Sequence, residues 1–265
     1  MNEIRVSQNI HPERGFQEYL IESDRSLDLS ITCDTDCQLM FRVRSAKSLR
    51  IRGYVADGCE AAILFWNECC APLSSDEVFE VHENAHLVAA YGECGGAPID
   101  RSIYVALRRP YAHGEILTAT LASSEVNYRM NVVNFAPHTL GEMNNYAVVL
   151  AEGKLMIDAV GTIVKGAVRS KNHQVSRALS FEEGQRSTIL PELLIDENDV
   201  EASHAMSIGR VDDEQLYYLM SRGLTIQQVT ALISSGYLMP VADVIPDEGV
   251  REVLHKELER KLSAL

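Results

Sequence analysis

The sequence contains no apolar stretch long enough for a membrane helix. Its apolar runs, such as Ala61 to Trp66 and Tyr146 to Ala151, stop far short of the roughly 20 residues a span needs. The start, Met1 to Gly15, interleaves Glu3, Arg5, His11, Glu13 and Arg14 with single apolar residues. It lacks the continuous apolar stretch of a secretory signal, and a cytoplasmic protein is expected. Basic residues are scarce beside acidic ones: 24 Lys+Arg against 38 Asp+Glu give a formal charge of −14, which repels phosphate backbones and anionic lipid. Neither nucleic acid nor a membrane is expected as a partner.

Standard catalytic signatures are also missing. Gly153-Lys154 is followed by Leu155, so there is no P-loop to cradle phosphates on backbone amides, and no ATP is expected to bind this chain. No G-x-S-x-G elbow, H-E-x-x-H pair or G-x-G-x-x-G turn occurs, which removes the commonest hydrolase, metalloprotease and dehydrogenase readings. The six cysteines all fall at or before Cys94, with no C-x-x-C among them. Cys33 and Cys37 could in principle share a metal, but packing as small apolar groups is the commoner role of such thiols. There is one Trp and there are six Phe, too few to suggest an aromatic sugar platform, and Trp66 sits in an apolar run that suits a core.

With 265 residues, 46% of them hydrophobic, the chain can bury a core without disulfide or metal staples and divides into one large domain or two ordinary ones. From Leu27 to about Ile195 the dominant pattern has period two, as in Leu27, Leu29, Ile31, Cys33 and again in Ile103, Val105, Leu107 and Leu155, Ile157, Ala159. Turn signals such as Asp57-Gly58, Gly95-Gly96, Pro110, His113-Gly114, Gly153 and Gly166 separate these strands. The spacing suits a sandwich, a barrel or a solenoid of parallel strands. His82 and His86 have a spacing a metal could bridge, although surface or satisfied histidines are commoner; His113 and His138 read as polar loop groups.

The texture changes near Arg210. Asp212 with Gln215 and Thr225 with Gln228 read as capping boxes opening two short helices, with Gly223 and Gly236 where those helices would end. A third, amphipathic helix is expected from Pro246-Asp247-Glu248, carrying Val250, Val253, Leu254, Leu258 and Leu262 toward basic Arg260 and Lys261. Between strands and helices lies an acidic segment containing Glu182, Glu183, Glu192, Asp196, Glu197, Asp199 and Glu201, with only Arg186 to offset it. A solvated sheet edge is its ordinary reading.

The run Pro191-Glu192-Leu193-Leu194-Ile195, then Asp199 to Ala205 with His204 inside it, Gly209-Arg210, Asp212, Glu214 to Leu219 and Ser221-Arg222-Gly223 resembles the C-terminal signature of the SufB/SufD family of iron-sulfur cluster assembly proteins. It combines a strand, a histidine turn and a capped helix in fixed order. The resemblance implies a mainly β fold, a right-handed parallel β-helix over residues 1–209, followed by a small helical ATPase-docking domain over 210–265. It implies a non-catalytic scaffold subunit working with an ABC-type ATPase, SufC, and with a SufB-like partner or a second copy of this chain. The ATPase would dock on Leu216, Tyr217, Leu219, Met220, Arg222, Gly223 and Leu224. His204 matches the histidine that distinguishes SufD-type chains from SufB-type ones, and its imidazole is a borderline donor suited to iron or a nascent iron-sulfur cluster at a subunit interface.

Two departures stand out. Ala202 occupies a position where many SufD-type chains have cysteine, and no thiol follows Cys94, so sulfur is expected to arrive on a partner. The chain also begins directly at the expected β-helix, as a minimal member that would permit a homodimer. The competing readings are a β-helix polysaccharide lyase or hydrolase using Glu182, Glu183, Glu192 and Arg186, and a purely structural pairing protein.

Overall fold

The computed structural model describes residues 2–150, 152–181, 186–245 and 247–262, apart from the side chain of Leu258. Glu182, Glu183 and Pro246 therefore lie outside the described residues. The strands fall into two parallel sheets that alternate along the chain, which makes a flattened solenoid with two strands per coil. One sheet holds β1 (Asn2–Ile4), β3 (Gly15–Glu22), β5 (Cys37–Ser45), β7 (Glu60–Asn67), β9 (His86–Glu93), β11 (His113–Ala122), β13 (Leu140–Val149), β15 (Lys171–Ser180) and β17 (Glu201–Arg210), side by side in that order. The other holds β2 (Gln8–Ile10), β4 (Ser26–Cys33), β6 (Ser48–Val55), β8 (Leu73–Val81), β10 (Ile99–Leu107), β12 (Glu125–Asn134), β14 (Lys154–Ile163) and β16 (Arg186–Ile195).

The coils widen along the chain. Side chains at equivalent positions are 22 residues apart at Arg50 and Asp28, 26 at Asn67 and Glu93, and 31 at Thr139 and Ser170. One corner repeats from coil to coil: Gly58, Asn84, Tyr111, His138 and Arg169 all take positive φ, and the backbone N–H of each donates to a carbonyl one coil further on. Only the first is glycine, so the ladder of bonds holds four side-chain-bearing residues in a conformation they rarely adopt alone. His138 is thus a corner residue, its ring stacked on Tyr111 at 4.9 Å.

The period-two alternation has its cause in this layout. Even-numbered strands bury one face and leave the other wet, with ion pairs such as Arg50–Asp28 and Arg129–Asp100 along it. The more continuous runs on β7, β9 and β11 have both faces covered. Inward residues fill the space between the sheets, while Met40, Leu64, Trp66, Ala90, Leu117 and Val148 point outward under the C-terminal helices. Gly92 provides the seat of Trp66, since a Cβ there would stand 2.4 Å from the indole.

The helices are α1 (Asp213–Ser221), α2 (Ile226–Leu238), a 3-10 segment (Met239–Val244) and α3 (Glu248–Leu262). Asp212 caps α1 through Glu214 N–H, without the reciprocal Gln215 contact expected of a capping box. Thr225 and Gln228 form a complete box on α2, and such a cap contributes about 1 kcal/mol. Gly236 does not end that helix. Nothing requires positive φ there, and α2 continues to Leu238, which packs on the outward face of the odd-numbered sheet. Leu254 and Leu262 of α3 join the same cluster. Arg42 clamps α3 to the solenoid by bonding Glu18, Glu68 and Glu257. Burial opposes the Arg42 charge, but Glu257 and Glu68 outweigh it and hold the guanidinium above its usual pKa. Among the described residues no helix is long and apolar enough to cross a membrane.

Candidate functional site

The solenoid interior changes character along its length. One inward column of the odd-numbered sheet runs Tyr19, Phe41, Phe65, Tyr91, with ring centroids 5.0, 5.1 and 5.5 Å apart and the planes nearly parallel. The same column continues as Thr118, Asn145, Ser176 and Met206. There Thr118 Oγ1 donates to Asn145 Oδ1 at 2.9 Å and Asn145 Nδ2 donates to Ser176 Oγ at 3.1 Å.

A buried ionic cluster marks the changeover. Arg101, fully buried, bonds Glu77 and Glu93, donates to Ser75 Oγ at 3.0 Å, and lies 4.7 Å from the Tyr91 ring centre. Tyr91 donates to Glu77 at 2.6 Å and Asn67 to Glu93 at 2.7 Å. Burial and the neighbouring Glu77 push the Tyr91 phenol well above its usual pKa.

Beyond it amides and hydroxyls join apolar side chains such as Ile116, Met143 and Ile157 in the interior. Asn172 Nδ2 donates to Asn134 Oδ1 at 2.8 Å, Asn134 Nδ2 to Thr139, and the hydroxyls of Thr139 and Ser170 are hydrogen-bonded at 2.9 Å. Gln174 spans the two sheets by donating from Nε2 to the Glu192 carbonyl at 2.8 Å.

His204 sits at the end of this lining. It does not occupy a turn: Glu201 to Arg210 pair in continuous register with Lys171 to Ser180, and His204 is the Cα partner of Gln174. Since Gln174 faces inward, the alternation places Ala202, His204, Met206 and Ile208 on the same interior register. Among the described residues no strand pairs with the far side of β17, so this face is open, with Met206 53% and Ile208 48% exposed. On β16, Ile195 is exposed on the inward register, while Leu190 and Leu194 are exposed on the outer face. The other end tapers instead to the three-residue strands β1 and β2, with Ile4 and Ile10 tucked in.

The remaining sequence candidates are dispersed. Leu216, Tyr217, Leu219 and Met220 lie on α1, Arg222 caps it, and Gly223 leaves it with positive φ ahead of Leu224. Leu216, Leu219 and Leu224 are half-buried; Tyr217, Met220, Arg222 and Gly223 are exposed, and α1 has no buried residue. His82 packs at a tilt against Tyr54, whereas His86 stacks on His113, which bonds Glu142 at 2.8 Å. His82 and His86 are therefore not brought together. Burial and the adjacent His113 lower the His86 pKa. Cys33 and Cys37 are core thiols; the hydrogen bond to Cys37 and burial raise the Cys33 pKa. Burial pushes Cys69 to about 11 and Cys94 to about 12, leaving both as unreactive thiols. Arg186 and Glu192 lie on the outer face of β16, away from the interior. Among the described residues no three His, Cys, Asp or Glu side chains are placed to share a metal ion.

Sequence reasoning missed Asn172, Gln174 and the exposed apolar end. Alternation in Asn172, Gln174, Ser176 was available as a signal, but which parity faces inward depends on the paired strand, which one sequence does not give.

Residues 64–237 match the family model described as SUF system FeS cluster assembly, SufBD core domain. The chain belongs to the SufBD family. It is 36% identical over 152 residues to the iron-sulfur cluster assembly protein SufD of Bacillus subtilis, covering 57% of this chain and 35% of that protein. A SufBD family protein of Pyrococcus horikoshii is 38% identical over 93 residues, 35% of this chain and 21% of that one. SufD of Escherichia coli is 24% identical over 115 residues, 43% of this chain and 27% of that one. The aligned segments thus cover about a third or less of these relatives' own lengths.

Proposed function

We infer that this SufBD family chain is a non-catalytic scaffold subunit in iron-sulfur cluster assembly, acting in the cytoplasm. Its open C-terminal end meets a SufB-like subunit or a second copy of itself, and an ABC-type ATPase of the SufC kind docks on the helical unit from residue 210 onward. The observation that carries this reading is the blunt end of the solenoid, where His204 stands among Met206 and Ile208 on an interior face that no further coil covers.

Iron or a nascent cluster is cargo here. One imidazole cannot complete a coordination sphere, so the remaining ligands come from the facing subunit, and sulfur arrives with them. For ATPase docking, the support is the contrast within the helices: α2 and α3 pack on the odd-numbered sheet, while Tyr217, Tyr218 and Met220 of α1 are exposed. ATP-driven closure of two ATPase subunits would pull α1, and the Arg42–Glu257 clamp would carry that load into the coils.

His204→Ala is expected to leave melting temperature and ATPase affinity unchanged while lowering maturation of iron-sulfur client enzymes in cells. Undiminished client activity in that variant contradicts the role of His204.

A further inference from the structure

Gln174 is 1% exposed, and its Oε1 has no hydrogen-bond partner among the described residues. The amide orientation is fixed, because Nε2 already donates to the Glu192 carbonyl, which can only accept. A buried acceptor left without a donor costs about 1–3 kcal/mol, and it persists where a further group completes it. The residue directly across the β15–β17 ladder is His204, which makes no hydrogen bond or ion pair of its own among the described residues. Adjacent strands lie about 4.8 Å apart, so side chains on the same register are within reach of one another. The room for the amides is made by Gly161: a Cβ there would stand 2.8 Å from Gln174 Nε2 and 2.3 Å from Asn172 Oδ1.

We propose that Gln174 is a positioning residue for His204. Rotation of the exposed His204 side chain brings the N–H of one imidazole nitrogen to Gln174 Oε1, which fixes the ring's tautomer and orientation and leaves the lone pair of the other nitrogen directed out of the open end. Partners of this kind hold a ligating histidine in one tautomer and raise its basicity. The inference rests on the reading of His204 as a ligand, but the tautomer is a property of the metal-free protein and is measured without any metal.

The test is two-bond 15N–1H correlation on the full chain labelled at histidine, at a pH where imidazoles are neutral, with the His204 signal assigned by its loss in His204→Gln. Wild type is expected to show one tautomer, Gln174→Met a mixture, and Gln174→Glu, which retains an acceptor oxygen, one tautomer again. Cobalt(II) affinity of the chain paired with its facing subunit, which supplies the remaining ligands, is expected to fall about 10–100-fold in Gln174→Met. A tautomeric mixture in wild type overturns the proposal even if the variants do not fold, and so does an unchanged spectrum in Gln174→Met. A single tautomer with no cobalt binding at His204 in the paired state would instead reject the ligand reading and leave the positioning intact.

Discussion

Tyr19, Phe41, Phe65 and Tyr91 form one half of an interior column, and Thr118, Asn145, Ser176 and Met206 form the other. Backbone, register and sheet are the same in both halves, yet the first is a dry ring stack and the second a chain of hydrogen bonds. Stacked aromatic pairs contribute about 0.5–1.5 kcal/mol each beyond their area and make no demand on the next coil. A polar ladder is different, because each rung needs a partner on the next, and here it stops at Ser176, beyond which the column ends on Met206. The column's second half therefore ends on an exposed apolar side chain, Met206, while the aromatic half ends in a taper that closes itself.

The junction is where this contrast breaks most severely. Arg101→Met would leave Glu77 and Glu93 buried without their counter-charge, a loss expected to reach about 3–5 kcal/mol and to show in urea unfolding. A smaller effect belongs to the polar half. Asn145→Val strands the hydroxyls of Thr118 and Ser176 and is expected to cost about 1–3 kcal/mol. If it were neutral or stabilising, the ladder would be a passive filler and the two halves would not differ in kind.

Much of this architecture was legible in the residues. The period-two strands, the change near Arg210, the Thr225–Gln228 box and the burial of Trp66 all follow from local pattern. The corner was legible at Asp57-Gly58, at Pro110 and in the loop reading of His138, but not as a repeat, because Tyr111, His138 and Arg169 are held in positive φ by neighbouring coils. His204 was identified as a residue of interest but placed in a turn. Its strand pairing depends on β15, thirty positions upstream as His173 and Ser203 are, and no local rule carries that information. Gly236 looked like a helix stop, yet contacts of Leu238 with the sheet override the weak local preference of glycine.

The most direct measurement is hydrogen exchange at Glu201 to Arg210 in this chain mixed with the proposed ATPase and SufB-like subunit, or at concentrations where it would pair with its own copy. Wild type is compared with the Met206→Asp, Ile208→Asp double variant. The account expects slow exchange of these amides in wild type and fast exchange in the variant, with α2 and α3 equally protected in both. Equal exchange across β17 in the two proteins would contradict a partner seated on the open end.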